Sequence, residues 1–548
     1  MIIQGMDSQA AAAPPPPSSG VDTRAVARNV LANWSGHCVT LAAGFILPRL
    51  INDQIGQVRL GLWDFAWSIA GSFFILTGGI GSAVNRYVAH YRAVSDWPSL
   101  NRTVSACMAL YLVCTAVALA LAAAASWWIH LILPATLETG LWEARTVVFL
   151  LGIAMVVQLP FATYHGVITG HQRYDVATWI ETGCRIAGVL LMIVALLLGY
   201  GLIALSVLTV LRELSVGLLK YAAARHVCPV MRLSFGGIRR SDLKAVLAFG
   251  GKTYMNFAAD ITLYQFNRVV VGAYLGPIAL AMFARPLGLV NSCQQVIYHF
   301  GRVLTPLASD IQASRQSANV TDLLMRTARY SVLLSLPMVL FLIAFGDGLM
   351  RLWMGEGYEV GNVLAILAVG HLSTFVQIGP YHILLGMNRH GLPALATFVA
   401  GCVSVLSSFI GLTMGGFGLQ GAALSMVIPL TIAHGLIVPL CAARAVGLPL
   451  RRYLFALGVP ALMVVPFAMT ITAVRLLMGD ETLRTIILAS ALGGVVLGAS
   501  VYVARKTSLG DRVFRMLKRE PERSACPREV SDGAEPDASS LAPALAEQ

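Results

Sequence analysis

Apolar residues in this chain come in blocks of about twenty, parted by short polar stretches, almost from end to end. The short alternating segments of a transmembrane barrel are not evident. The pattern predicts an all-α polytopic membrane protein with fourteen transmembrane helices. They fall at about 27–48, 60–84, 105–129, 146–168, 176–198, 201–223, 247–272, 276–300, 330–347, 361–385, 393–414, 419–442, 453–474 and 484–504. Residues 1–23 are rich in Ala, Pro and Ser, with Pro14 to Pro17 consecutive and no basic and apolar regions of a cleaved signal. A disordered tail is expected there, and a second, cytoplasmic one at 505–548, basic at first and then rich in Pro, Ser and Glu.

The chain also matches itself. Tyr164-His165, Gly170-His171-Gln172-Arg173 and Gly199-Tyr200-Gly201-Leu202 recur as Tyr381-His382, Gly386-Met387-Asn388-Arg389 and Gly416-Phe417-Gly418-Leu419, 216 to 217 residues later. Arg49, Ile55-Gly56 and Leu60-Gly61-Leu62-Trp63 recur as Arg268, Leu275-Gly276 and Leu280-Ala281-Met282-Phe283, 219 to 220 residues later. One copy spans six helices. An even number returns the chain to the side it started from, so the two repeats are parallel. The expected organisation is an N-lobe (24–225), a basic cytoplasmic linker (226–245), a C-lobe (246–445) and two C-terminal helices (446–504) outside the repeat. A cleft between two six-helix lobes follows from it.

Composition agrees: 57% of the 548 residues are hydrophobic, 12% are charged, and mean hydropathy is +0.72. The net charge of +12 follows topology. Lys and Arg crowd alternate loops, from Arg86, Arg92 and Arg102 to Arg444, Arg451 and Arg452, which places both termini on the cytoplasmic side. The basic stretch from Lys220 to Lys244 lacks the aromatic interleaving of a nucleic-acid platform, so no nucleic-acid partner is expected. The nine cysteines include no Cys-x-x-Cys pair, and neither a disulfide framework nor a metal site is read from them. Gly250-Gly251-Lys252-Thr253 looks like the end of a phosphate loop, but Val246 stands where its first glycine belongs. No nucleotide-hydrolysing apparatus, cofactor or catalytic residue is expected.

The seventh span concentrates the polar chemistry. Lys252, Asn256, Asp260, Tyr264 and Arg268 lie four residues apart, with Thr253 and Asn267 beside them, over roughly 160° of one helix face. Such a face cannot meet lipid, and an aqueous cavity or a protein polar network must receive it. The first span, its repeat partner, carries Asn29, Asn33, His37 and Thr40 on one side. Six cations fall in or beside spans: Arg185, Arg212, Lys252, Arg268, Arg285 and Arg302. They suit a cavity that takes a pyrophosphate. Glu181, four residues from Arg185, and Glu213, adjoining Arg212, offer structural ion pairs instead. Asp260 and Asp64 are the candidate ion-coupling carboxylates. The span histidines, His37 apart, are expected to pack.

Fourteen spans, parallel repeats and a basic inter-lobe loop resemble the polysaccharide (Wzx-like) flippase family of the multidrug/oligosaccharidyl-lipid/polysaccharide (MOP) exporter superfamily, with MATE-like lobes. The resemblance runs over about 25–505 and is carried by Leu60-Gly61-Leu62-Trp63, Gly78-Gly79-Ile80-Gly81, Asn85-Arg86, Gly170-His171-Gln172-Arg173-Tyr174 and the stretch Gln265 to Gly276. The family often has Asp where this chain has Asn267, which would leave coupling to Asp260. The resemblance implies a transporter that moves lipid-linked oligosaccharide on polyprenyl pyrophosphate across a bacterial cytoplasmic (inner) membrane by alternating access. Partners would be membrane lipids and polysaccharide polymerase or chain-length machinery. A peptidoglycan-precursor flippase and a multidrug cation antiporter are alternatives within the superfamily. A membrane glycan ligase or polymerase would need a large outward loop, and none much exceeds about 20 residues.

Overall fold

A computed structural model describes residues 23–132, 140–302, 304–313, 317–416, 418–479 and 482–506. Helices are the regular structure among them, with no strand. The expected tails lie outside the described residues, except for Thr23 and Arg505-Lys506 at helix ends. Eight helices form the first half: α1 (Thr23–Ile55), α2 (Gln57–Ser72), α3 (Ile80–Ala93), α4 (Trp97–Trp127), the single turn α5 (Ile129–Ile132), α6 (Leu141–Gly170), α7 (Tyr174–Leu197) and α8 (Leu202–Val227). The second half holds α9 (Arg240–Asp260), α10 (Asn267–Arg302), α11 (Leu304–Ala313), α12 (Ser317–Met354), α13 (Gly361–Gly386), α14 (Gly391–Met414), α15 (Leu419–Ile432) and α16 (Val438–Ala445). Two more, α17 (Leu450–Met478) and α18 (Leu483–Lys506), end it.

Twelve stretches are long and apolar enough to cross a membrane, against the fourteen spans expected. Two places account for the difference. Helix α1 is not among the twelve, its described apolar residues being diluted by Asn33, His37, Asn52 and Asp53. One of the twelve runs 48 residues, Tyr254–Gly301. Straight, it would measure about 72 Å, more than twice the roughly 30 Å of a hydrocarbon core. It is not straight. Gly276 sits at φ 85° and ψ 175°, a conformation that only glycine adopts readily, and Pro277 withholds an N–H just after it. That break falls where the sequence parts its seventh and eighth spans.

The helices pack in two groups. Helix α6 is the hub of the first, against α8, α4, α3 and α2, while α13 serves the second, against α12, α10, α15 and α11. Large side chains such as Leu190, Leu191, Leu462, Leu476 and Leu477 face outward, an arrangement suited to lipid and costly in water. Helices α17 and α18 join the second group through a small core of Phe345, Val464, Phe467 and Ile471. The groups meet where α2 crosses α10. There a Cβ on Gly61 would stand 1.9 Å from the Pro277 carbonyl oxygen, so a hydrogen is all that fits. Gly61→Ala should therefore force the two helices apart and cost about 1–3 kcal/mol or more. Thermal unfolding in detergent checks this. Gly44→Ala is the control, because a Cβ there meets nothing within 4 Å.

Candidate functional site

The polar face of the seventh span lies on α9 and the turn after it. Helix α9 ends at Asp260 and widens into a π-helical turn, Ile261–Phe266, before α10 begins. Helix α15 widens in the same way at Ala433–Ile437, which holds His434. Such turns re-aim side chains that a regular helix would hold in register. Both border one cavity of about 180 Å³, walled by Asn256, Asp260, Tyr264, Gln294, Tyr298, Tyr381, His382, Thr397 and His434. The Tyr264 hydroxyl donates to Gln294 Oε1 at 3.0 Å and lies 3.4 Å from His371 Nε2, while Tyr381 donates to the Asn256 carbonyl oxygen. Asp260 is exposed on this wall and makes no hydrogen bond or ion pair among the described residues. The side chain of Lys252 lies outside the described residues.

Asn267 is placed elsewhere. It is 1% exposed, donates to the Leu263 carbonyl and Ser404 Oγ, both at 2.8 Å, and accepts from Ser408 Oγ at 2.8 Å. Those bonds tie α10 to α14, and the side chain reaches no cavity described above.

A second cavity, of about 410 Å³, lies between α1, α10 and the end of α12. His37, Thr40, Phe45, Arg285, Asn291, Ser292, Gln295 and Trp353 line it. Arg285 is 6% exposed and forms an ion pair with Asp64 of α2, joining the two helix groups. Arg268, beyond the Gly276 break, acts electrostatically on both members of that pair. It makes no hydrogen bond or ion pair among the described residues, and its Nε is buried. One carboxylate thus faces two guanidiniums. A buried cation without a counter-charge is costly, so this cluster is built to receive an anion. The His37 ring packs 4.7 Å from that of His299, and Asn33, exposed lower on α1, accepts from Thr178 Oγ1 at 3.4 Å. Past the cavity α1 is clasped. Arg49 Nη1 donates to the Trp353 carbonyl (3.3 Å), Trp353 Nε1 to the Phe45 carbonyl (2.8 Å), and the Tyr358 hydroxyl to Asn52 (3.2 Å).

The third cavity, of about 310 Å³, is enclosed by α6, α7 and α8. Arg212 pairs with its neighbour Glu213, as adjacency suggests. Glu181 takes Lys220, at 2.5 Å, rather than Arg185. Lys220 was read only as part of a basic loop, and its role here depends on a partner 39 residues away. Arg185 is left without a bonded partner among the described residues. The repeat relates this cavity to the first one described. Gln158, Ala162, His165 and Glu181 line one, and Thr374, Ile378, Tyr381 and Thr397, each 216 residues on, line the other. That offset was the available signal for Gln158 and Tyr381, which composition alone does not mark.

Residues 98–361 match the family described as polysaccharide biosynthesis protein. Over 227 residues, 39% of this chain, the sequence is 23% identical to an uncharacterized membrane protein, EpsK, of Bacillus subtilis (strain 168). The match spans 43% of that relative's length, under half of it. In structure the chain is similar to the lipid II flippase MurJ in an inward closed conformation, with a TM-score of 0.65, 14% identity, and 87% of this chain and 98% of that one covered. It is also similar to an inward-facing MATE family multidrug resistance transporter of the MOP superfamily, with a TM-score of 0.63, 15% identity, and 77% and 98% covered. The chain therefore has the fold of the MOP superfamily, and through residues 98–361 it belongs to the polysaccharide biosynthesis protein family.

Proposed function

We propose that this protein flips a polyprenyl-pyrophosphate-linked oligosaccharide across the bacterial cytoplasmic membrane, for surface polysaccharide synthesis. The observation that carries the reading is the surplus guanidinium of Arg268 beside the Asp64–Arg285 pair, at the wall of an inter-group cavity. A pyrophosphate supplies the missing negative charge, and arginines meet its oxygens with paired, charge-assisted hydrogen bonds. The lipid tail stays in the bilayer and enters between the lobes 24–225 and 246–445, which rock about the cavity. The Arg49–Trp353–Tyr358 clasp is the outward closure and parts when the lobes reverse. Asp64 is engaged by Arg285, so Asp260, solvent-reached and unpaired, is the candidate to carry a coupling ion. Both termini face the cytoplasm in this scheme, and polymerase or chain-length machinery collects the product outside.

Fluorescent polyprenyl-pyrophosphate oligosaccharide in proteoliposomes provides the test, its outer-leaflet copies being trapped by an added lectin. The inner pool should drain only when the protein is present. A peptidoglycan precursor, whose lipid offers the same headgroup, serves as the second substrate because of the likeness to MurJ. Movement of that lipid alone would transfer the protein to that branch, and movement of neither would end the proposal.

A further inference from the structure

We infer that the cavity between α6, α7 and α8 is a second anion site, which holds a carboxylate-bearing sugar of the transported glycan. The inference rests on the flippase reading and assigns it a substrate class. Three cations and two carboxylates meet here, and Arg212–Glu213 and Lys220–Glu181 neutralise each other. Arg185 remains. It lies about 16 Å along α7 from Tyr174, near the middle of a bilayer-spanning helix, where an uncompensated guanidinium is disfavoured.

The excess is a single charge, and this selects the ligand. A carboxylate balances it in one planar, two-point contact with Arg185. A pyrophosphate brings more negative charge, and Glu181 and Glu213 on the same wall repel the remainder. The rest of the lining suits a sugar ring, with Phe161 as an apolar face and the Gln158 amide for hydroxyls. Two glycines keep the walls this close. A Cβ on Gly188 would stand 2.8 Å from Arg212 Cδ, and one on Gly217 would stand 2.2 Å from the Phe161 ring. This cavity and the Arg268 cluster are built from different helices, so one substrate engages both, its headgroup at the cluster and its acidic sugar here.

The test uses the full-length protein in lipid nanodiscs and two polyprenyl-pyrophosphate disaccharides, one ending in glucuronate and the other in glucose. The wild-type protein should bind the glucuronate lipid about tenfold more tightly, the value of one good charge-assisted contact. Arg185→Gln should weaken that lipid about tenfold more than the glucose lipid, and Arg268→Gln should weaken both alike. Equal wild-type affinities would overturn the inference and leave the flippase reading standing. Equal weakening of both lipids by Arg185→Gln would also overturn it, because the cavity would then hold the pyrophosphate. If neither lipid binds the wild-type protein, the flippase reading fails and takes this inference with it.

Discussion

Asp64→Leu should destabilise the folded protein by about 3–5 kcal/mol, and Arg285→Met should do so by a similar amount. Both side chains are nearly enclosed, at 14% and 7% exposure, and either change leaves the other charge buried without its partner. Made together, the two changes should recover most of the loss, because an apolar pair of similar volume needs no counter-charge. Thermal unfolding of the four proteins in one detergent measures the coupling. A double variant no more stable than the worse single one would show that the ion pair does not join α2 to α10. Transport gives a separate readout. The double variant should fold and yet fail to move lipid, since the cavity has lost a guanidinium.

Arg268→Gln should behave in the opposite way. Its guanidinium holds no bond among the described residues, so its removal relieves an uncompensated charge and stability should hold or rise. Translocation should fall roughly 100-fold, the equivalent of about 2–3 kcal/mol for a lost contact between charged groups. Arg268→Lys should restore part of it, keeping the charge but not the planar fork. Transport unchanged in Arg268→Gln would move the headgroup site away from this cluster.

How far the sequence carried this picture depended on the range of each interaction. The crossings were legible because hydrocarbon tolerates few polar groups, and the run expected at 361–385 is helix α13, Gly361–Gly386. The break at Gly276 was legible from a glycine and a proline side by side. The π-helical turns beside Asp260 and at His434 leave no such mark, since their residues suit an ordinary helix. Pairing was readable only between neighbours. Glu213 with Arg212 was accessible, whereas Asp64 and Arg285 stand 221 residues apart and meet only through the packing of α2 on α10. Asn267 has the same lesson. Its position on the polar face suggested sugar contact, and the hydroxyls that occupy it, Ser404 and Ser408, come from a helix more than a hundred residues away. Helical spacing shows which side chains share a face, but the neighbouring helix decides whether that face is wet.

Solvent and headgroup access to the chamber beside Arg285 can be measured at Ser292, on its α10 wall. Ser292→Cys, in a protein whose native cysteines are replaced, should react with a charged, membrane-impermeant thiol reagent. Polyprenyl pyrophosphate should slow that reaction at least about tenfold, and polyprenol, with the same tail and no phosphate, should not. A thiol that never reacts, or one that both lipids shield equally, would contradict the account.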